Sequence, residues 1–185
     1  MKIAYADPPY LGCGARYYNA PEWDRIESHQ QLIVRLCSEF PDGWALSLHT
    51  PSLQIILPMC PSDVRIAAWC KSFCAFKRGV RPAYAWEPVI FRGGRNPSNG
   101  YRALIPKKNG NQTTPKDFIV ESIAMKRGLV GAKPEKVCLW ILRLLNAQPG
   151  DQVDDLFPGT GVMAQTVAKY FENLEQENQT VLTLR

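Results

Sequence analysis

Asp7-Pro8-Pro9-Tyr10 follows directly on the apolar run Lys2-Ile3-Ala4-Tyr5-Ala6. The run reads as a buried strand. Two prolines cannot continue a central strand, so the tetrapeptide belongs at the strand's carboxyl end. In open α/β sheets that is where ligands bind. These residue types suit one chemistry, methyl transfer to an exocyclic amino group. The lone pair of such a nitrogen is delocalised into its ring. Two acceptors aimed at its N–H bonds draw it toward a tetrahedral shape and localise the pair. The Asp7 carboxylate can supply one acceptor and the Pro8 carbonyl the other. Pro9 fixes the turn through its restricted φ. Tyr10 offers a face on which a base can stack. A strand ending in an ordinary Pro-rich turn would carry the same four residues.

A second constellation narrows the choice. Asp155-Leu156-Phe157-Pro158-Gly159-Thr160-Gly161 follows Gln152-Val153-Asp154 and precedes a helical pattern from Val162. Strand, Gly-rich turn and helix let a backbone approach a nucleotide-like ligand closely. The spacing is not that of a dinucleotide fingerprint, and no Lys-Ser/Thr of a phosphate loop is present. A ligand without phosphates fits better, such as S-adenosylmethionine. Thr160 is equally at home as a cap near a helix start. Between the two constellations, Gly131-Ala132-Lys133-Pro134 opens an amphipathic run through Val137, Leu139-Trp140-Ile141-Leu142 and Leu144-Leu145. Pro favours a first helical turn, so Lys-Pro alone says little.

Together and in this order, the three motifs resemble the Asp-Pro-Pro-Tyr amino-group DNA methyltransferases, which modify adenine N6 or cytosine N4. The motif order matches that family's permuted subgroup, and the pairing of Gly-Ala-Lys-Pro with Asp-Leu-Phe-Pro-Gly-Thr-Gly resembles small phage-type adenine enzymes. Trp86-Glu87-Pro88-Val89-Ile90-Phe91 is similar to a later strand of the methyltransferase sheet. The resemblance implies an α/β fold, Rossmann-like and class I, with S-adenosylmethionine as cofactor. Asp7, Pro8, Pro9 and Tyr10 become the catalytic motif. Ala6, Asp7 and Asp155, Leu156, Phe157, Pro158, Gly159, Thr160 and Gly161 become the cofactor site, with Lys133 and Pro134 at its rim. Asp rather than Ser at position 7 leans toward adenine. Cytosine N4, adenine in RNA, a protein amide, and a non-catalytic nucleic-acid-binding protein on the same fold remain the alternatives. The family usually carries an acidic residue for the ribose after the strand that follows the cofactor helix. Thr180-Val181-Leu182-Thr183-Leu184-Arg185 offers none.

The elements that must position these residues alternate along the chain. Strands are expected at Lys2–Ala6, Trp44–Leu48, Val64–Cys70, Tyr84–Phe91, Val153–Leu156 and Thr180–Leu184. Helices are expected at Ile26–Phe40, from Thr50 to Leu57, Phe118–Met125, Pro134–Ala147 and Val162–Glu172. Gly12 to Trp23 and Gly93 to Gly110 read as loops. The alternation predicts a doubly wound, mainly parallel sheet. Set against the family that the chain resembles, a further strand is missing, which implies a sheet truncated at one edge to six strands. The family topology would set the Val153 strand at the sheet centre beside the Lys2 strand.

With 185 residues the chain reads as a single methyltransferase domain, large enough for a substantial core. No run approaches the ~20 apolar residues of a membrane span, and no leader pattern precedes Asp7. A cytoplasmic protein with six reduced thiols is expected. The histidines, His29 and His49, and the six cysteines show no metal-ligand spacing, so no metal is expected.

The net charge of +5 is unevenly placed. Residues 92–133 hold nine cations and two acids, 9 − 2 = +7. This basic, loop-rich segment (92–132 without Lys133) suits DNA, whose target base must be flipped out or single-stranded. Arg92, Arg95, Lys107 and Lys108 are the expected phosphate contacts. Arg16 and Tyr17 are expected beside the substrate with Tyr10. Oligomeric state is left open, a homodimer included.

Overall fold

The computed structural model describes residues 1–74, 78–95, 114–123 and 131–183. Six strands form one sheet: β1 (Lys2–Ala6), β2 (Gly43–Ser47), β3 (Arg65–Cys70), β4 (Trp86–Gly93), β5 (Phe118–Val120) and β6 (Gln152–Asp155). Their order is β5-β3-β4-β2-β1-β6. β1 pairs in parallel with β2 and β6, and β3 with β5. β4 runs antiparallel to both its neighbours.

The period of two decides which helices cover which face. Ile3, Tyr5 and Ala45 face α4 (Glu135–Leu144) and α5 (Val162–Thr183), among Val137, Ile141, Leu142, Met163 and Tyr170. Ala4, Ala6, Trp44 and Leu46 face α2 (Ile26–Glu39) and α3 (Thr50–Ile56), among Leu32, Ile33, Leu36 and Ile56. Full burial of a side chain such as Leu46 or Ile141 is worth about 1.5–3 kcal/mol. The two cores therefore clamp the sheet from both sides. After β1 the chain crosses one face to β2; after β6 it leaves over the other. The carboxyl ends of β1 and β6 thus flank a topological switch point, the expected ligand crevice of such sheets.

Four sequence expectations give way. Phe118–Val120 is a strand, not the start of a helix; three consecutive residues suited to pleated pairing extend β3 instead. The expected terminal strand from Thr180 is helix, because α5 runs to Thr183 without a Gly or Pro to stop it. β6 lies beside β1 as expected, but it is an edge strand among the described residues, not a central one. The loop from Gly12 contains a short helix, α1 (Gly14–Tyr18), followed by a 3-10 turn. Asp24 makes that helix possible. Its two carboxylate oxygens accept from the backbone N–H groups of Gly14 and Ala15, at 2.7 and 3.0 Å.

Candidate active site

Asp7 and Phe157 each stand two residues beyond a paired position, Tyr5 opposite Asp155. Neighbouring strands lie about 4.8 Å apart, so the two motifs leave the sheet side by side. The backbone N–H of Leu156 donates to the Tyr5 carbonyl at 2.9 Å. The loops are then locked by an edge-on aromatic pair, Trp23 against Phe157 at 5.0 Å between centroids. Within the glycine loop, the Gly161 N–H closes a turn on the Pro158 carbonyl at 2.6 Å. Gly161 has φ +72°, with open space where a Cβ would stand. The Asp155 carboxylate accepts from the Phe157 N–H at 3.2 Å. Burial raises its pKa, the Phe157 N–H opposes that rise, and the Asp7 charge adds to it.

Behind Asp7 lies a buried polar cluster that the sequence does not announce. Lys133 is 8% exposed and sits beneath the Asp7–Tyr10 turn, not at a rim. Its ammonium donates to Asp7 Oδ1 and to the Tyr10 hydroxyl, each at 2.8 Å. Glu87 Oε2 lies 3.4 Å from the same ammonium. The Tyr10 hydroxyl donates to Glu87 Oε2 at 2.7 Å and stands 3.3 Å from Asp7 Oδ1. Lys71 donates to Glu87 Oε1 at 2.6 Å. Two carboxylates and two ammonium groups sum to zero, the condition under which burying them is tolerable. Among the described residues, Asp7 Oδ2 accepts no hydrogen bond.

The electrostatics separate the two acids. Burial works against ionisation of Glu87, but Lys133 and Lys71 overcome it and hold its pKa down at about 2. For Asp7 burial wins, and its pKa is raised despite Lys133. Burial also works against the charge on Lys133, yet Asp7 and Glu87 hold its pKa above the ordinary lysine value. Glu87 is therefore a fixed anion that anchors Lys133 and Tyr10. Asp7 is the group in the cluster best placed to exchange a proton.

Tyr10 is held by its hydroxyl, and its ring stacks on His49 at 5.3 Å and 14°. One face of the ring is thus covered. His49 Nδ1 is in turn 2.7 Å from Ser52 Oγ. Arg16 and Tyr17 lie exposed on α1, the guanidinium over the ring at 5.0 Å. Tyr18, next along, packs against Gly131, where a Cβ would stand 2.6 Å from its hydroxyl. That contact fits α1 onto the segment leading to Lys133.

Of the cations in the basic segment, the described Arg92 and Arg95 do not lie at this edge. Arg92 is the penultimate residue of β4 and Arg95 lies just beyond it, at the end where Gly93 pairs with Gly43 at the start of β2. Arg92 is bound to Asp63 at 2.8 Å, and Arg95 to the buried Asp151 at 2.7 Å. Their charges are spent on structural pairs at the amino edge, opposite Asp7. Lys107 and Lys108 lie outside the described residues.

Sequence reasoning missed Glu87 and Lys71 as parts of the site, and His49 as the support of Tyr10. The available signal for Glu87 was an acid inside an otherwise apolar strand pattern, Trp86 to Phe91. Among the described residues no group of His, Cys, Asp and Glu could hold a metal ion. No helix among them is long and apolar enough to cross a membrane.

No protein-family model matches the sequence, and no curated protein matches it. Solved structures do resemble it. The M1.HpyAVI–SAM complex superposes with a TM-score of 0.53 at 16% identity, covering 95% of this chain and 79% of that one. M1.HpyAVI without the ligand gives 0.51 at 14%, covering 95% and 76%. TTHA0409 of Thermus thermophilus, described as a candidate DNA modification methylase, gives 0.53 at 17%, covering 91% and 76%. At these identities the likeness establishes the fold: a Rossmann-like α/β sheet of the kind found in DNA methyltransferases.

Proposed function

We propose that this chain is a DNA methyltransferase that uses S-adenosylmethionine and acts on an exocyclic amino nitrogen, with adenine N6 as the favoured target. The observation that carries the reading is the Asp7 carboxylate. It stands at the switch point beside the glycine loop, with Oδ1 tied to Lys133 and Oδ2 left to accept from an incoming amine. The fold neighbours, one of them a SAM complex, support the choice of cofactor. The crevice fits that molecule chemically. Gly159 and Gly161 both have positive φ, +47° and +72°, which allows close backbone approach. Asp155 offers a carboxylate beside them, and the loop brings no basic side chain of the kind a phosphate would need.

When bound, S-adenosylmethionine would supply an electrophilic methyl group on a sulfonium, the S–CH3 bond breaking to leave a neutral thioether as the C–N bond forms. The chain's own residues do the rest. Asp7 Oδ2 and the Pro8 carbonyl accept the two N–H bonds and turn the lone pair toward the methyl. Lys133, itself braced by the Tyr10 hydroxyl and Glu87, holds Oδ1 so that the carboxylate does not rotate away. As the C–N bond forms, positive charge develops on the nitrogen and the Asp7 carboxylate stabilises it. The surplus proton then passes to Asp7, whose raised pKa suits it to accept, and on to solvent. Glu87, held at about 2, is too weak a base for that step.

Nucleoside analysis of DNA and RNA from cells expressing the chain tests the assignment. N6-methyladenine in DNA is the expected product. N4-methylcytosine, or methylation of RNA alone, would redirect it, and no modified base in either would sink it. The cofactor site has its own test. Val at position 161 would have to adopt φ +72°, which β-branched residues avoid. Gly161→Val should weaken S-adenosylmethionine binding at least about tenfold, set against the ~1–2 kcal/mol such a backbone costs. Gly161→Asn, which tolerates that φ, should lose less. Calorimetry showing equal affinity in all three would place the cofactor elsewhere.

A further inference from the structure

The connection from β3 to β4 rises from the same carboxyl edge as Asp7, on the side away from the glycine loop. Across the sheet the order is β6, β1, β2, β4, β3. At about 4.8 Å per strand, β3 stands roughly 14 Å from β1. The base of this connection is bonded to the site, since Lys71 and Tyr10 meet on the two oxygens of Glu87.

Three large aromatics on it or at the first residue of β4 face solvent: Phe73 at 54%, Tyr84 at 41% and Trp86 at 38%. A single exposed aromatic needs no explanation, but three close in sequence around a connection whose base is bonded to the site ask for a partner. Arg78 and Arg81 are exposed on the same connection. Neither pairs with an acidic side chain among the described residues. By contrast Arg35, Arg65 and Arg92 all do, with Glu39, Asp117 and Asp63. From Lys71 to Trp86 the sequence contains no Asp or Glu.

Resting on the methyltransferase reading, we infer that Arg78, Arg81, Tyr84 and Trp86 grip the single strand beside the target base. Arg78 and Arg81 take its phosphates, and Tyr84 and Trp86 take its unstacked bases. The chemistry is specific to opened nucleic acid. A duplex hides its base faces, whereas a strand parted around an extruded base presents them. Cations alone would suit any polyanion. Aromatic faces interleaved with cations suit a strand with bare bases.

The test measures binding of a labelled single-stranded oligodeoxynucleotide to the full chain over a range of salt. Each phosphate contact on a single strand contributes ~0.7 to the slope of log affinity against log salt. R78Q/R81Q should therefore flatten the slope by about 1.4. R35Q/R65Q removes the same net charge elsewhere and should leave it unchanged. Y84A/W86A should keep the slope and lose roughly tenfold or more in affinity, the scale of one lost stacking contact. All six positions are exposed, and thermal unfolding near the wild-type temperature verifies that the variants fold. A wild-type slope in R78Q/R81Q overturns the inference, and so does absence of binding by the wild type at low salt. Methyl transfer is followed in parallel. If the wild type transfers no methyl group yet the slope change is present, the enzymatic reading fails and the binding surface stands.

Discussion

Asp7→Asn should lower methyl transfer by at least about 10²-fold, the scale for losing one positioned stabiliser, while binding S-adenosylmethionine nearly as well as the wild type. The substitution keeps the shape of the side chain. Its remaining oxygen can still accept from Lys133 where Oδ1 does now. The amide nitrogen then occupies the position of Oδ2. A donor would face the N–H that Oδ2 accepts in the wild type, so attraction becomes repulsion at the reacting atom. The negative charge that stabilises the developing cation is also gone. The pH profile provides a second readout. Asp7 must be ionised to accept, and its pKa lies above the ordinary carboxylate value because burial outweighs Lys133. Wild-type turnover should therefore fall as pH drops through that raised pKa. The residual activity of Asp7→Asn should lack this acid limb. Wild-type turnover in the variant would remove Asp7 from the mechanism.

Both loops that meet at the switch point are legible in the sequence, because Pro and Gly act through local backbone geometry. Pro8 and Pro9 end a strand wherever they occur, and Gly159 and Gly161 permit a turn that few residues can make. The flanking strands and the helices α2 and α4 are legible for a similar reason, since their apolar period is carried by the elements themselves. The misses are the features decided at a distance. Phe118–Val120 becomes a strand only because β3 offers it an edge. The helix α5 persists through β-prone residues because propagation costs less than starting afresh. Charge was the least transparent quantity. A run of cations from Arg92 onward suggests a nucleic-acid face, but sequence cannot say that Asp63 and Asp151 neutralise Arg92 and Arg95. Nor can it say that Glu87 and Lys133, 46 positions apart in the sequence, share one buried cluster with Asp7.

That cluster yields the largest expected effect on stability. Lys133→Met removes the cation that, alone among the described residues, touches both carboxylates, and leaves Asp7, Glu87 and Lys71 with a net charge of −1. Breaking a buried ion pair from one side costs about 3–5 kcal/mol, because the partner charge stays behind unpaired. For a domain of this size each kcal/mol lowers the unfolding temperature by roughly 2–4 °C. The loss should depend on pH with a definite sign. Lys133 lowers the Asp7 pKa in the wild type, so its removal raises that pKa further. A carboxyl whose folded pKa exceeds its unfolded value stabilises the fold at low pH, and this contribution disappears as pH rises through the folded pKa. The deficit of Lys133→Met should therefore be largest near neutral pH and above. It should narrow on acidification, as Asp7 takes up a proton in place of the lost ammonium. The acid limb of methyl transfer should move to higher pH for the same reason. Lys133→Met/Glu87→Gln leaves one carboxylate and one ammonium in the cluster, and it should recover part of the stability. Thermal unfolding of the three proteins at acidic and mildly alkaline pH makes the comparison. A Lys133→Met protein as stable as the wild type at alkaline pH, with its acid limb unmoved, would mean that Lys133 merely fills space beneath Asp7.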